Sequence, residues 1–584
     1  MIRELPPIVS LRCCTRLRLR MIMLLATLML TCNPPILRGS VTGSISGTVS
    51  DSSGAVLPGA SVVALQTETG IAHTTETNAQ GFYSLPALPV GHYHVTIRAK
   101  GFSDYRETSL VLDVNTSLRV DASLKVGGVT EQVSVSASAV QVETTNTQMG
   151  EVIGTNKMEL VPLNGRSYTD LLALQPGVIP VSSGQYSGTL VSGSLNPGNL
   201  SVSGQRESAN GFMVNGGNVQ EDVQMGTAII PDLDSIAEFR ILTNNADAEY
   251  GNFSGGLVNA ITKSGTNQYH GDAFEFLRNS ALDSRNFFPP SRGTLHQNQF
   301  GGTAGGPILH DKFFFFADYQ GSRVVNGVDT GLIPVPTAAA RQGNLGSAAF
   351  SSISNNVFTP NLVTGAAWAN TLSQELGYPV QVGEPYSLYD VSSQTTACTS
   401  SAQCVFPNGV IPTGAFSAPS QKLIQYIPPP NLGSSSFTTA AFNNTLRDDK
   451  GSGRLDANTR FGLLSGYYFF DQYSVVNPYP SASVPGFSAA NTGRTQDINF
   501  SVTSSFGPSA VNEFRFGYVR NVNSANVPIG GLGPTLSSLG FITGVNTPGI
   551  VVGAPQYEGV PQIGFNNFTI GVPGYISTQT NNTY

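Results

Sequence analysis

The chain has 584 residues, enough for several domains rather than one ordinary core. Charged residues make up 11% and hydrophobic ones 40%, whereas soluble domains carry about 25% charge. Gly, Ser, Thr, Asn and aromatics fill the difference, a texture that suits β structure with alternating faces and long polar loops. The net charge of −7 excludes the basic footprint of a nucleic-acid binder.

Residues 1–40 read as an export signal. Arg12, Arg16, Arg18 and Arg20 form a basic start, and Met21 to Leu30 is an apolar run. That run is shorter than the roughly 20 residues of a spanning helix and suits a signal core. Leu30-Thr31-Cys32 is a poor lipidation site. No later segment reads as a spanning helix, so entry into a membrane requires a closed barrel.

Residues 43–125 read as a β-sandwich, with short strands punctuated by Gly, Pro and Asn. In His92 to Ala99, Tyr93, Val95, Ile97 and Ala99 share one face, and Leu118 to Leu124 alternates throughout, as a half-buried strand requires. His92 and His94 share the other face; without a third ligand they read as solvated side chains, not a zinc pair. Gly47 to Asp51, Pro58 to Val62, Thr77 to Tyr83, Leu88 to Tyr93 and Gly101-Phe102 together resemble the carboxypeptidase regulatory-like domain, a carbohydrate-binding-like sandwich. The resemblance implies no peptidase activity.

Residues 126–145 read as a linker. Within it Glu131, Gln132, Val133, Ser134, Val135, Ser136, Ala137 and Ser138 form an extended, β-prone run without Pro.

Residues 146–265 read as a compact α+β unit. Val161 to Ser167 leads into a short helix from Tyr168 to Leu174, with Ser167 as N-cap and Pro176-Gly177 as the stop. Ser201 to Arg206 and Phe212 to Gly217 are strand-plus-turn patterns; Ser235 to Arg240, Ala248 to Gly251, Ser254 to Gly256 and Val258 to Gly265 follow. Gly251, Gly255 and Gly256 precede a strand, Leu257 to Thr262, so they do not make a dinucleotide-binding turn. In order and spacing these pieces resemble the plug domain of TonB-dependent receptors, in the Oar-like subfamily. The run 131–138 then occupies the place of the TonB box, which pairs by strand addition; the alternative is a connecting strand of the sandwich. The turns at Asn164, Gly165, Arg166, Gln205, Arg206, Asn215, Gly216 and Gly217 are the remaining site candidates, and structural turns are the alternative for each.

From residue 268 to 584 the texture is that of transmembrane β. Ile498, Phe500 and Val502 oppose Asp497, Asn499, Ser501 and Thr503; Phe514, Phe516 and Tyr518 oppose Glu513, Arg515 and Gly517. Aromatics outward and polar groups toward the lumen is the barrel pattern. Ala273–Leu277, Gln299–Thr303, Phe313–Tyr319 and Phe461–Phe470 read as similar strands, and Phe506 to Ser509 as a periplasmic turn. Gly301 to Pro307 and Phe313 to Phe316 again match the Oar-like barrel start. Residues from Tyr319 to Arg454 read as a long extracellular loop, and the tail from Asn521 as another without a closing strand. Cys398 and Cys404 lie in the first loop; they read as a local disulfide or as two free thiols.

The fold expected is therefore mainly β: a sandwich, an α+β plug, and the first strands of an incomplete barrel. The resemblance implies about 22 barrel strands, so a fragment of a longer product is expected. It further implies an outer-membrane importer, lying in outer-membrane lipid, whose ligand binds extracellular loops and plug apex. TonB, driven by its inner-membrane energising complex, would open the path. The ligand is not readable: the resemblance allows iron–siderophore complexes, cobalamin, glycans or peptides, and the carbohydrate-binding-like fold of the sandwich favours glycans slightly. The alternative is an adhesin or an envelope protein for motility or secretion. No nucleophile–base arrangement, metal-binding motif or phosphate loop suggests an enzyme, and no cofactor or metal is implied.

Overall fold

The computed structural model describes residues 41–127, 132–136, 148–161, 163, 166, 168–180, 200–221, 225–246, 250–285, 287–288, 291–346, 351–507, 510–529, 533–544, 550, 558–574 and 576–583. The expected export signal lies outside them.

Two sheets face each other in the N-terminal unit. One contains β1 (Gly43–Asp51), β4 (Phe82–Leu88), β7 (Ser117–Arg119) and β8 (Ala122–Leu124) in the order β4-β1-β7, with β8 also on β1. The other runs β3-β2-β5-β6-β9, from β2 (Ser61–Gln66), β3 (Ala72–Glu76), β5 (Gly91–Arg98), β6 (Asp104–Leu112) and β9 (Gln132–Ser136). Tyr93, Val95 and Ile97 of β5 are buried against Ile45, Val49, Tyr83 and Leu85, the face that alternation marks. Leu118 to Leu124, read as one strand, is split. Both halves run parallel to β1 in one register, and the break between them presses on Gly47, where a Cβ would lie 1.8 Å from the Val120 carbonyl oxygen. Val120 donates its N–H to the Ser46 carbonyl and accepts the Tyr83 hydroxyl at 2.8 Å.

The central unit holds a five-stranded sheet ordered β10-β15-β16-β13-β14. Its strands are β10 (Met149–Gly154), β13 (Gly211–Val214), β14 (Gly217–Asn218), β15 (Ile236–Asn244) and β16 (Leu257–Thr262); β11 (Val178–Pro180) and β12 (Leu200–Val202) pair separately. Helices α1 (Thr155–Leu160) and α2 (Thr169–Leu172) pack on this core. Helix α2 is shorter than the sequence reading, and Tyr168 holds the N-cap position without a side-chain cap. The expected cap, Ser167, lies outside the described residues.

The last sheet is an antiparallel meander of eight strands: β17 (His270–Asn279), β18 (Leu295–Leu309), β19 (Phe313–Gly327), β20 (Asn443–Thr459), β21 (Gly462–Asn477), β22 (Ala489–Phe506), β23 (Ala510–Pro528) and β24 (Ser577–Thr583). Three short turns, after β18, β20 and β22, lie at one end, and the long connections lie at the other. In outer-membrane barrels the short turns are periplasmic. Phe300, Leu455, Tyr468, Ile498, Phe500, Phe514 and Phe516 are exposed on the outer face.

Three barrel readings need correction. β20 and β24 are strands where the sequence reads as loop and tail; β20 places Gly451 and Gly453 on its outer face, so no aromatic alternation announces it. In β17, Phe274 and Phe276 face the lumen: the Arg166 guanidinium lies over their rings at 4.8 and 4.2 Å. The long connection from 328 to 442 is not plain polar loop. Ile333, Val335 and Ile427 share an apolar core with Val484, Phe487, Leu539 and Ile570 from two other connections. A second cluster contains Val363, Leu372, Val405 and Phe406. Beside it Cys398 and Cys404, both fully buried, are joined as a disulfide.

Candidate functional site

The lumen face of the barrel wall meets the central unit through a polar seam. Strands β13 and β14 are joined by Asn215-Gly216, with φ of 48° and 71°. This is the left-handed pair that a two-residue hairpin demands and that Asn-Gly supplies at least cost. The Asn215 amide oxygen accepts the Thr262 N–H at 3.0 Å, which ties the turn to β16. The Gly216 carbonyl accepts from the Arg515 guanidinium of β23 at 3.0 Å. A Cβ on Gly217 would lie 2.3 Å from the Asn499 amide oxygen of β22, so the turn touches the wall with no room for a side chain.

Beside it, Arg454 of β20 donates to the Thr262 carbonyl at 2.7 Å and pairs with Asp456 at 2.8 Å. Asp456 also accepts the Ser264 hydroxyl at 2.6 Å. Further along β20, the Lys450 ammonium donates to the Ile230 carbonyl at 3.3 Å. Apolar packing supplements these bonds: Tyr467, Phe469 and Val519 of the wall join Ile229, Ile230, Leu233 and Phe239 in one core.

A row of polar residues crosses the wall in hydrogen-bonding register: Gln320, Lys450, Asp471, Thr495 and Asn521. Gln320, Thr495 and Asn521 are at most 2% exposed, and their side-chain polar atoms have no partner among the described residues. Buried polar atoms are normally hydrogen-bonded, so this row is chemically unsaturated.

Within the central unit Arg166 pairs with Asp234, both nearly buried. Asp232, fully buried nearby, has its pKa pushed up to about 7, mainly by desolvation; Lys450 opposes the rise, and Asp318 and Asp234 add to it.

The sandwich is fastened at the short-turn end. Arg240 of β15 donates to the Val114 and Asn115 carbonyls at 3.0 and 2.9 Å, and Glu238 accepts the Val114 N–H. Burial, with Asp113 beside it, holds Glu238 well above the usual carboxylate range. Asn267, which leads into β17, donates to the Thr69 carbonyl and to Asp311 in the turn after β18, both at 2.6 Å. Exposed His92 pairs with Glu68.

Of the sequence candidates, Asn215, Gly216 and Gly217 gather at the wall, and Arg166 stands over Phe274 and Phe276. Gln205 and Arg206 are exposed in the turn after β12. Gln132 to Ser136 form β9, parallel to β6, with Asp104 opposite Gln132 and Thr108 opposite Ser136. Glu131, Ala137, Ser138, Asn164 and Gly165 lie outside the described residues. Lys450, Arg454 and Asp456 escape the sequence reading, which places Arg515 on the lumen face but gives it no partner. They lie two to three hundred residues from their partners, and their only signal is a charge on the lumen side of a strand.

The profile of the outer membrane beta barrel domain matches residues 261–584, and that of the carboxypeptidase regulatory-like domain matches 44–125. Over 312 residues the chain is 28% identical to the TonB-dependent transporter Oar of Myxococcus xanthus, covering 49% of this chain and 28% of that protein. Among solved structures, a ferric enterobactin receptor from Pseudomonas aeruginosa aligns with 12% identity and a TM-score of 0.30, covering 65% of this chain and 50% of that one. The siderophore receptor PirA from Acinetobacter baumannii aligns with 14% identity and a TM-score of 0.28, covering 64% and 48%. The chain thus spans about half the length of these solved receptors and 28% of the curated relative.

Proposed function

The chain belongs to the outer membrane β-barrel family, and from that premise we propose that it serves as a TonB-dependent receptor that imports a ligand across the outer membrane. The observation that carries this reading is the seam. The central unit, as a plug, is held to the wall largely by side chains donating to backbone carbonyls. Such bonds exchange for water at a net cost of about 1–3 kcal/mol each. A plug held in this way can be displaced without exposing an all-apolar surface, and the unsaturated row through Gln320, Thr495 and Asn521 would line the path it opens.

TonB, with its inner-membrane energising complex, is the proposed source of the pull, and residues 131–138 its proposed handle. In β9 the backbone of that segment already adds a strand to a sheet edge, which is the mode TonB would use. We favour a carbohydrate as ligand, because amides, carboxylates and hydroxyls alternating with Tyr467, Phe469 and Tyr473 suit sugar hydroxyls and ring faces.

The second reading is a surface adhesin. The shared apolar core of three extracellular connections favours it, since it builds a rigid outer platform. The two separate on uptake: deletion of 131–138 should abolish accumulation of labelled oligosaccharides while leaving surface binding intact. Uptake that survives the deletion sinks the import reading.

A further inference from the structure

The outer face of β20 to β23 changes character abruptly. On β22 the outward positions run Val502, Phe500 and Ile498, then Gln496 and Arg494; on β23 they run Phe514, Phe516 and Tyr518, then Arg520. On β20, Leu455 gives way through two glycines to Asp449 and Arg447. A tilted strand crosses the hydrocarbon in about 9–11 residues. Counted from the short periplasmic turns, these charges fall at the outer-leaflet headgroups.

A groove of about 460 Å³ opens at this level, lined by Arg447, Asp449, Phe470, Gln472, Ser474 and Arg494 among others. Arg494 stands opposite Gln472 and Val522 in register, and Gln472 stands opposite Asp449. In register the β20 residue in line with Arg494 is therefore Asp449, roughly 10 Å away at two strand spacings, and Arg447 stands two residues farther along β20. Arg520 lies one diagonal step from Arg494.

The single carboxylate does not neutralise them. Asp449 already accepts from Arg323 at 2.6 Å, the Tyr319 hydroxyl at 2.6 Å and Arg447 at 3.1 Å. Arg494 and Arg520 are exposed and have no ion pair or side-chain hydrogen bond among the described residues. Four arginines against one aspartate leave the patch about three charges positive. Such a patch on the membrane side, directly above an apolar band, stands at the depth where anionic headgroups are drawn to it.

We propose that this groove binds the phosphorylated headgroup of an outer-leaflet lipid, its acyl chains lying on Phe470, Phe500, Phe516 and Tyr518. Guanidinium forks match phosphate oxygens in pairs. The proposal rests on the outer-membrane placement and is independent of the import reading.

The test uses the intact gene product, refolded into phosphatidylcholine vesicles doped either with diphosphorylated lipid A or with its dephosphorylated form. Lipid retained after detergent extraction is measured by native mass spectrometry. The Arg494→Gln/Arg520→Gln variant should hold the phosphorylated lipid about 30-fold more weakly, from about 1 kcal/mol for each arginine near an anionic surface. The Arg494→Lys/Arg520→Lys variant should keep most of the binding, and inorganic phosphate should not displace the lipid. Equal retention by the folded glutamine variant, equal retention of dephosphorylated lipid, or full displacement by inorganic phosphate would each overturn the proposal. Should the glutamine variant lose its heat-modifiable fold, the wild-type protein decides. Retention that falls with salt supports the site, and retention indifferent to salt overturns it.

Discussion

Gly47 shows how much one missing Cβ permits. With any side chain there, the segment around Val120 could not lie this close to β1, because the Cβ would lie 1.8 Å from a backbone oxygen. We expect Gly47→Ala to destabilise the sandwich by about 3 kcal/mol or more, measured as loss of protected amides in residues 43–125 by hydrogen exchange. Protection unchanged in the variant would mean that the crossing is looser than described. Asp232 is a second such residue. Its folded-state pKa of about 7 stands above the ordinary 3.8, so the folded protein keeps a proton that the unfolded chain releases. Its contribution is full below about pH 4 and is lost as pH rises through 7, on the order of 4 kcal/mol at most. Asp232→Asn should therefore flatten the fall in denaturant midpoint between pH 5 and 8 and raise stability at the alkaline end. An identical pH profile would show that Asp232 titrates normally.

At the scale of elements, the hairpin of β13 and β14 is held to the wall by Arg515 at the Gly216 carbonyl and by Arg454 at the Asn215 amide oxygen. Arg515→Ala removes a charge-assisted bond to the Gly216 carbonyl and should loosen residues 211–218 by about 1.5–3 kcal/mol. Faster amide exchange there, with the barrel strands unchanged, is the expected readout. The pairing of β9 with β6 makes a different prediction. Arg106 and Ser134 stand directly opposite in register, so cysteines at both positions should form a disulfide that blocks TonB's periplasmic domain until reductant is added. Blocking absent in the oxidised variant would detach residues 132–136 from TonB recognition.

Legibility followed periodicity at this scale. β22 and β23 alternate aromatic and polar residues and are readable residue by residue. β20 is not, because its outward glycines erase one phase of the pattern. β17 is visible but without a direction: alternation gives a period only, and its pairing with β18 together with Arg166 of the central unit settles which face Phe274 and Phe276 take. The Asn215-Gly216 turn is local and readable, whereas its wall partners Arg454 and Arg515 are set by topology alone. The apolar core shared by three connections is invisible for the same reason, since each contributes only a few residues.

At the scale of the whole molecule, each of the three units touches the other two. The sandwich grips the central unit at Glu238 and Arg240 and the barrel rim at Asn267. TonB dependence is tested most directly by capture of the gene product from outer membranes by TonB's periplasmic domain, with and without residues 131–138, scoring only heat-modifiable, folded barrel. Capture of the intact protein, and none of the deletion, is the expected result. Folded barrel that ignores TonB, or that is captured equally well without residues 131–138, would contradict it.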